Sequence, residues 1–383
     1  MGRRKQITAM ILAAVFLISG CGGAKQTVRT SEKTEKDGIR SNGFSCVTDY
    51  GVLFCGNTDM LYLYDYGAKE AVPFCARPNC RHDSRDCTAK LFEDRAILPV
   101  LYENGLYYMK LNGSADAWEY CRADQNGENE KVLAEVSYDV INPLNAILYH
   151  GKAYMIGERA TVQEDGHYDG SNDVFSVDLQ TGETETILTQ TFGTDGIALI
   201  NFEHAENGTA YLYLYGRNIT EGRSDGFYAL DMETKSITRL ENEENSSAGA
   251  WGDGRMIYSR INGAQENGFW SYRLDNGETE KLCSCENPGR GLMMKDGFLH
   301  RVCDSEYKTG RWHFYEWDTG EDRELQKSDT EEDFLTELAV EADGEELLIG
   351  WYGEGEAEGH YLIPAKAFMD GSRDFQFLCT VNQ

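Results

Sequence analysis

From about residue 43 onward, apolar residues fall in short runs, many alternating with polar ones, and glycine-bearing turns divide the runs. Runs of roughly four to eight residues with a period of two predict β-strands. Helical periodicity is absent beyond residue 42, and the six prolines sit largely at strand edges and in loops, as sheet packing requires. One unit recurs. A short apolar strand meets a turn with glycine, and a second strand rich in Tyr, Leu or Met follows. After a variable polar loop come an aromatic strand ending near Asp or Asn, a second turn and a last short strand. The first turn falls at Tyr50-Gly51, Asn104-Gly105, His150-Gly151, Asn207-Gly208, Asp253-Gly254, Asp296-Gly297 and Asp343-Gly344. Asn-Gly and Asp-Gly suit a type I′ hairpin, whose two central residues both need positive φ. The second turn falls near Gly67, Gly127, Gly182, Thr234, Gly277, Gly320 and Gly371.

The first-turn glycines are spaced by 54, 46, 57, 46, 43 and 47 residues. A period in the forties with four strands per unit predicts an all-β fold, a β-propeller of seven four-stranded blades in preference to six or eight. A β-sandwich would leave seven copies of one unit unexplained. The first and last units each contain four strands, so ring closure needs no shared strand. With strands running outward from the axis, the loops between second and third strands share a face with the crossovers between blades. Those loops are long and varied, at residues 160–173, 217–225, 263–267 and 353–359. Variable loops on a rigid scaffold are where binding concentrates, which makes this face the expected site for a protein, peptide or glycan ligand.

The chain has 383 residues, 41% of them hydrophobic, and a formal net charge of −29. That supports a large core and argues against nucleic acid, whose phosphates require Lys/Arg neutralisation. The amino terminus reads differently. Arg3, Arg4 and Lys5 precede an apolar run over residues 7–18, too short for a bilayer, which takes about 20 residues. Then Ile18-Ser19-Gly20-Cys21 resembles the lipobox of bacterial lipoprotein signal peptides. The resemblance implies a signal peptide over 1–20, cleavage before Cys21, a diacylglycerol on its sulfur, and a body held outside the cytoplasm at the cell membrane by that anchor alone. Residues 21–42 then form a polar tether, reaching on the order of 70 Å when extended, with the propeller over 43–383. The repeating body resembles the exported propeller lipoproteins of Gram-positive anaerobes, related to TolB-like and YWTD-like propellers. That resemblance implies a fold and a location and no activity.

Eleven cysteines are present. Cys75, Cys80, His82 and Cys87 form a C-x4-C-x-H-x4-C run in the crossover from the first unit to the second, a spacing that also occurs in the family just named. Three thiols and an imidazole within 13 residues suit a Cys3His zinc site, although one residue between Cys80 and His82 forces close ligands to splay. In an exported protein a disulfide such as Cys80–Cys87 is the favoured alternative. Cys46 and Cys55 flank Tyr50-Gly51, and a two-residue turn there sets them opposite each other as a cross-strand disulfide. Cys303 is the expected partner for Cys283 or Cys285.

Other patterns lead nowhere. Gly222-Arg223-Ser224-Asp225-Gly226 fits G-x-S-x-G, but that motif works at a strand-to-helix elbow and here precedes a strand. The loop Asp165-Gly166-His167-Tyr168-Asp169-Gly170 starts like a calcium loop and lacks the closing Glu, which leaves only weak calcium binding with Asp173 as its reading. Trp251, Trp270, Trp312, Trp317 and Trp351 read as packing residues. The sequence is therefore read as a binding or scaffold module without catalysis of its own. The alternatives are a surface hydrolase of glycans or peptides with acidic residues near the axis, and a metal-handling protein built on the Cys/His run.

Overall fold

Strand pairing follows the predicted period closely. The fold is seen in a computed structural model that describes residues 39–41, 45–48, 50–55, 60–75, 77–84, 87–90, 97–113, 117–142, 146–163, 166–240, 246–261, 267–303, 310–325, 334–342, 345–352 and 359–380. The first sheet comprises β2 (Ser45–Val47), β3 (Gly51–Cys55), β4 (Leu61–Asp65) and β5 (Glu70–Pro73). The second comprises β6 (Ile97–Tyr102), β7 (Gly105–Asn112), β8 (Ala117–Asp124) and β9 (Lys131–Val136). β10 (Val140–Ile141) is a short strand on the next sheet's edge. The third sheet holds β11 (Ala146–Tyr149), β12 (Lys152–Val162), β13 (Tyr168–Asp178) and the first part of β14 (Thr184–Glu206). The rest of β14 opens the fourth, with β15 (Thr209–Glu221), β16 (Gly226–Asp231) and β17 (Ile237–Arg239).

The remaining three sheets are regular. They are β18 (Ser246–Gly252) to β21 (Thr279–Ser284), β22 (Pro288–Met293) to β25 (Asp322–Glu324), and β26 (Phe334–Ala342) to β29 (Gln376–Thr380). Every pair is antiparallel, and the described pairing resolves into seven four-stranded blades. First strands of neighbouring blades touch one another, as β18 does β22 and β22 does β26, which puts them innermost.

Burial explains the composition of each position. Inner strands are covered on both faces, so β6 and β19 (Arg255–Arg260) are buried at five of six positions. Outermost strands such as β25 face water and read Asp-Arg-Glu. Between blades the apolar faces interlock. Ile147, Tyr154 and Val174 pack on Ile200, Leu212 and Leu230, and Tyr211 and Phe227 on Met256 and Tyr258. Ile257 and Phe269 meet Phe298 and Tyr315. Leu299 and Phe314 meet Leu348 and Phe368. The circle closes where Val340, Leu347 and Ile349 of the last blade pack on Val52, Phe54 and Tyr64 of the first. Gln376 Nε2 donates to the Lys69 carbonyl across that seam at 3.0 Å.

The turns carry the predicted chemistry. At His150-Gly151, Asn207-Gly208 and Asp253-Gly254 both residues have positive φ between paired flanks. In the second blade the turn is one residue earlier, at Glu103-Asn104, with Gly105 already in the ladder. The second turns share another device: the carboxylates of Asp65, Asp178 and Asp231 each accept the N–H groups two and three residues ahead. Those bonds hold Asp178 and Asp231 below the ordinary carboxylate range.

Four expectations need correction. Three residues assigned to the tether form β1 (Ile39–Ser41), paired with β11 on one side and β2 on the other, so among the described residues pairing already includes 39–41. A helix interrupts the last blade, α1 (Ala365–Met369), where Phe368 fills the seam with Trp312. At the first turn Val47 opposes Val52, and Cys46 therefore opposes Leu53, with Cys55 two residues beyond. The directly opposed Cys46–Cys55 pair is lost by that register, because the connection takes four residues, 48–51, with Thr48 Oγ1 and N–H both bonded to the Gly51 carbonyl. The Cys55 side chain, the lipobox and Cys21 lie outside the described residues. Cys283 and Cys285 are both free thiols, so neither is joined to Cys303.

Phe298 is fully buried, with its ring 5.1 Å from Phe269 of the preceding blade. Phe298→Ala opens that seam and is expected to cost about 3–5 kcal/mol, measured as a lowered urea midpoint.

Candidate functional site

The loop-rich face is built differently from its prediction. The stretch 160–173 is no loop: β12 and β13 continue paired to Val162↔Tyr168, a hairpin standing above the ring. β14 runs from the third blade into the fourth without a crossover loop, kinked by register shifts between Thr191 and Ile197. β15 extends with it, so much of 217–225 is also strand. The residues 262–266 and 353–358 of the other two loops lie outside the described residues. Together the extended strands frame a groove of 610 Å³ lined by Arg159, Thr161, Asp169, Gly170, Ser171, Asp173, Thr186, Thr189, Thr191, Phe192, Gly193 and Thr220.

At its floor stands Asp173. Its side chain is 2% exposed, yet Arg159 is half-exposed and reaches down to pair with Oδ2. Tyr138 donates its hydroxyl to the same oxygen at 3.2 Å, and the Arg159 guanidinium lies over the Tyr138 ring at 4.0 Å. The other oxygen, Oδ1, is buried without a hydrogen-bond partner. Nearby, buried Gln190 accepts the Arg223 N–H through Oε1 while its Nε2 has no partner. A buried polar atom left unpaired costs roughly 1–3 kcal/mol, so Asp173 Oδ1 on a groove-lining residue points to a group that pairs with it when bound. Sequence reasoning located the segment and named Asp173 only as a weak calcium ligand, and it missed Arg159, Tyr138 and Gln190. Asp173 and Arg159 come from paired strands and Tyr138 from the connection between β9 and β10, and no spacing announces them.

On the same face, the crossover after β5 brings its four predicted residues together. One donor atom each from Cys75, Cys80, His82 and Cys87 lies within 4.8 Å of the others, and His82 Nδ1 is 3.2 Å from Cys87 Sγ. Cys75 and Cys87 are buried and Cys80 half-buried, in a small apolar cluster with Met60 and Ala89. Asn79 and His82 both adopt positive φ, turning the chain sharply enough for closely spaced ligands to face inward. All three cysteines are free thiols in this structure, and the Cys80–Cys87 bridge remains the alternative to a metal at this crossover. Burial works against ionising any of them. The Thr88 hydroxyl beside it, then the Arg77 N–H and the neighbouring thiols, nevertheless hold Cys75 below the usual thiol range. Cys87 is pushed up to about 11 by burial and by the other two cysteines.

A second convergence was not foreseen, because its members are scattered over the fifth and sixth blades. His300, fully buried on β23 (Gly297–Cys303), has Nε2 2.9 Å from Asp322 Oδ1 and 3.8 Å from Cys283 Sγ. His313 approaches the other Asp322 oxygen at 3.3 Å. Cys283 and Asp322 both face one nitrogen of His300, so the set is no nucleophile–base–acid relay, which needs the two on opposite ring nitrogens. Burial holds the His300 imidazole below its ordinary range, opposed by Asp322. Burial alone would raise Asp322, but hydrogen bonds from the two histidines hold it well below the carboxylate range.

The remaining motifs stay structural. Ser224 sits in the turn between β15 and β16, its carbonyl accepting from Tyr228 at 2.8 Å, with no helix after it. Trp251 stacks with Tyr211 across a blade seam, and Trp312 is buried at another. The side chain of Trp351 lies outside the described residues.

No family model matches the chain, and no curated protein resembles it in sequence. Solved structures do resemble its shape. An oligogalacturonate lyase in complex with manganese superposes with a TM-score of 0.54 at 14% identity, over 88% of this chain and 92% of that one. The oligogalacturonate lyase of Vibrio parahaemolyticus gives 0.53 at 13% identity, over 86% and 91%. The chain is a β-propeller. At such identities the likeness extends to the fold alone. TolB from Acinetobacter baumannii, a namesake of the resemblance drawn from the sequence, matches at 15% identity over 85% of this chain and 76% of that one, with a TM-score of 0.35.

The propeller is expected to lose stability on acidification. The unfolded chain protonates His300 near 6.5, while the folded site resists protonation. Stability therefore falls as the pH drops below about 6.5 toward the folded value, and Asp322 adds a further loss in the acid range. Urea midpoints between about pH 7 and pH 5 should show the fall, and His300→Gln should reduce it.

Proposed function

We propose that this propeller is a binding module held at the outer face of the cell membrane by a lipid on Cys21, and that its ligand is a hydroxyl-rich glycan seated in the groove above the third and fourth blades. The observation that carries this reading is the buried, unpartnered Oδ1 of Asp173 at the groove floor. A ligand hydroxyl is a donor that fits it. Around it, Thr161, Ser171, Thr186, Thr189, Thr191 and Thr220 offer both donors and acceptors, and Phe192 supplies an apolar surface. A polar groove with a few convergent groups suits orientation of a neutral polyol. Asp173 is tied to Arg159 and Tyr138, which suits it to accepting hydrogen bonds and not to shuttling protons. That arrangement supports the reading of a binding module over an enzyme. The acidity of the whole chain supports a neutral ligand over an anionic one.

Calorimetric titration of the full chain with neutral oligosaccharides should give saturable binding. Asp173→Asn should weaken it about 10- to 100-fold, the effect of about 1.5–3 kcal/mol for a charge-assisted hydrogen bond. Absence of binding by every oligosaccharide at millimolar concentration would overturn the glycan reading. For the anchor, Cys21→Ser should move the protein from the membrane fraction to the soluble one, and an unchanged distribution would remove the lipid from the account.

A further inference from the structure

The geometry points to a zinc ion held by Cys75, Cys80, His82 and Cys87, which closes the crossover between the first and second blades. Four donors of the right kind converge there, three thiol sulfurs and one imidazole nitrogen, all within 4.8 Å. Bonds of roughly 2.3 Å to sulfur and 2.0–2.1 Å to nitrogen place tetrahedral ligands about 3.5 Å apart. The 3.2 Å between His82 Nδ1 and Cys87 Sγ is close to such an edge, and the wider gaps need a small inward shift. No carboxylate belongs to the set, and soft donors favour zinc over calcium, magnesium or manganese.

The disulfide alternative uses the same residues less completely. A bridge consumes two sulfurs and leaves a third thiol and an imidazole facing it without a role. An ion uses all four. The backbone has also taken up strain that a bridge does not require. His82 at φ 56 and Asn79 at φ 59 aim side chains that are close in sequence at one point.

What the ion does follows from where it sits. The crossover contributes to a small cluster of Met60, Cys75, Cys87 and Ala89, separate from the larger inter-blade cores. So little apolar surface cannot fix a long connection, and a metal supplies the missing cross-links. Arg77 in the same turn reaches Glu128 of the second blade at 3.8 Å. A closed crossover thereby fixes the first blade against the second.

The test is a titration of the full chain, purified reduced and metal-free, first with Co2+ and then with Zn2+. The expected result is one Co2+ per chain with the visible absorption of tetrahedral cobalt and a thiolate-to-cobalt charge-transfer band, both displaced by an equivalent of Zn2+. Cys80→Ser should abolish the spectrum. His82→Asn, a milder change should the cysteine variant fail to fold, should weaken zinc retention against a competing chelator by more than ~10-fold. Cys283→Ser, at the other convergent set, should leave the spectrum unchanged. An octahedral spectrum, or none in the parent chain, would overturn the proposal. So would a spectrum lost in Cys283→Ser and kept in Cys80→Ser, which would move the ion to the seam between the fifth and sixth blades. A chain two hydrogens lighter that regains them on reduction would assign the crossover to a disulfide instead.

Discussion

Each blade has two apolar faces and can bury neither by itself, and everything else in this fold depends on that constraint. Residues on one strand alternate between the two faces, so a sheet such as that of β19 sends Met256 and Tyr258 toward one neighbour and Ile257 toward the other. The need is satisfied only when the ring is complete. Closure here comes from packing of the last blade on the first, where Val340, Leu347 and Ile349 meet Val52, Phe54 and Tyr64. Within each seam, large aromatic side chains do most of the filling, and Phe269, Phe298, Phe368 and Tyr258 are essentially fully buried.

A scaffold fixed in this way can leave one face free to vary. Tight turns on the opposite face use glycine at positive φ or an aspartate that caps the N–H groups ahead of it, both local solutions that need no partner. On the free face, strands of the third and fourth blades overrun the ring and carry their own hydrogen-bond ladder upward. That ladder is what lets polar residues such as Asp173 and Gln190 be buried without collapse of the backbone around them. The groove and the Cys/His crossover therefore occupy the same side for one topological reason: both lie where the chain leaves one blade or doubles back within it.

The same constraint explains the two kinds of buried polar cluster. The crossover lies outside the ring of large seams and has little apolar surface to hold it, so its side chains gather around donors. His300, Asp322 and His313 lie within a seam, where the cost of burying an imidazole is offset by a carboxylate at 2.9 Å and aromatic contacts with Phe269 and Phe298. The seam gains a polar tie and with it a sensitivity to acid.

The fold was legible in the sequence because its signals are local. Period-two alternation gives strands, Asn-Gly and Asp-Gly give hairpins, and repetition of one unit gives the ring. The Cys75-to-Cys87 run was legible for the same reason, its four ligands being close in the chain. Register was not legible at the first turn, since the Thr48 hydroxyl and the Gly51 carbonyl choose a four-residue connection that slides Cys46 away from Cys55. Nor was the projecting hairpin: polar strands exposed above a ring read like loops until their partners are known. Asp173 with Arg159 and Tyr138, and His300 with Asp322 and Cys283, are brought together by strand pairing and blade packing that no local spacing announces. Local sequence determined the blades, because strand and turn chemistry acts within a few residues. Tertiary packing alone decided which side chains face one another across them, because burial and pairing belong to neighbours that the chain reaches only after folding.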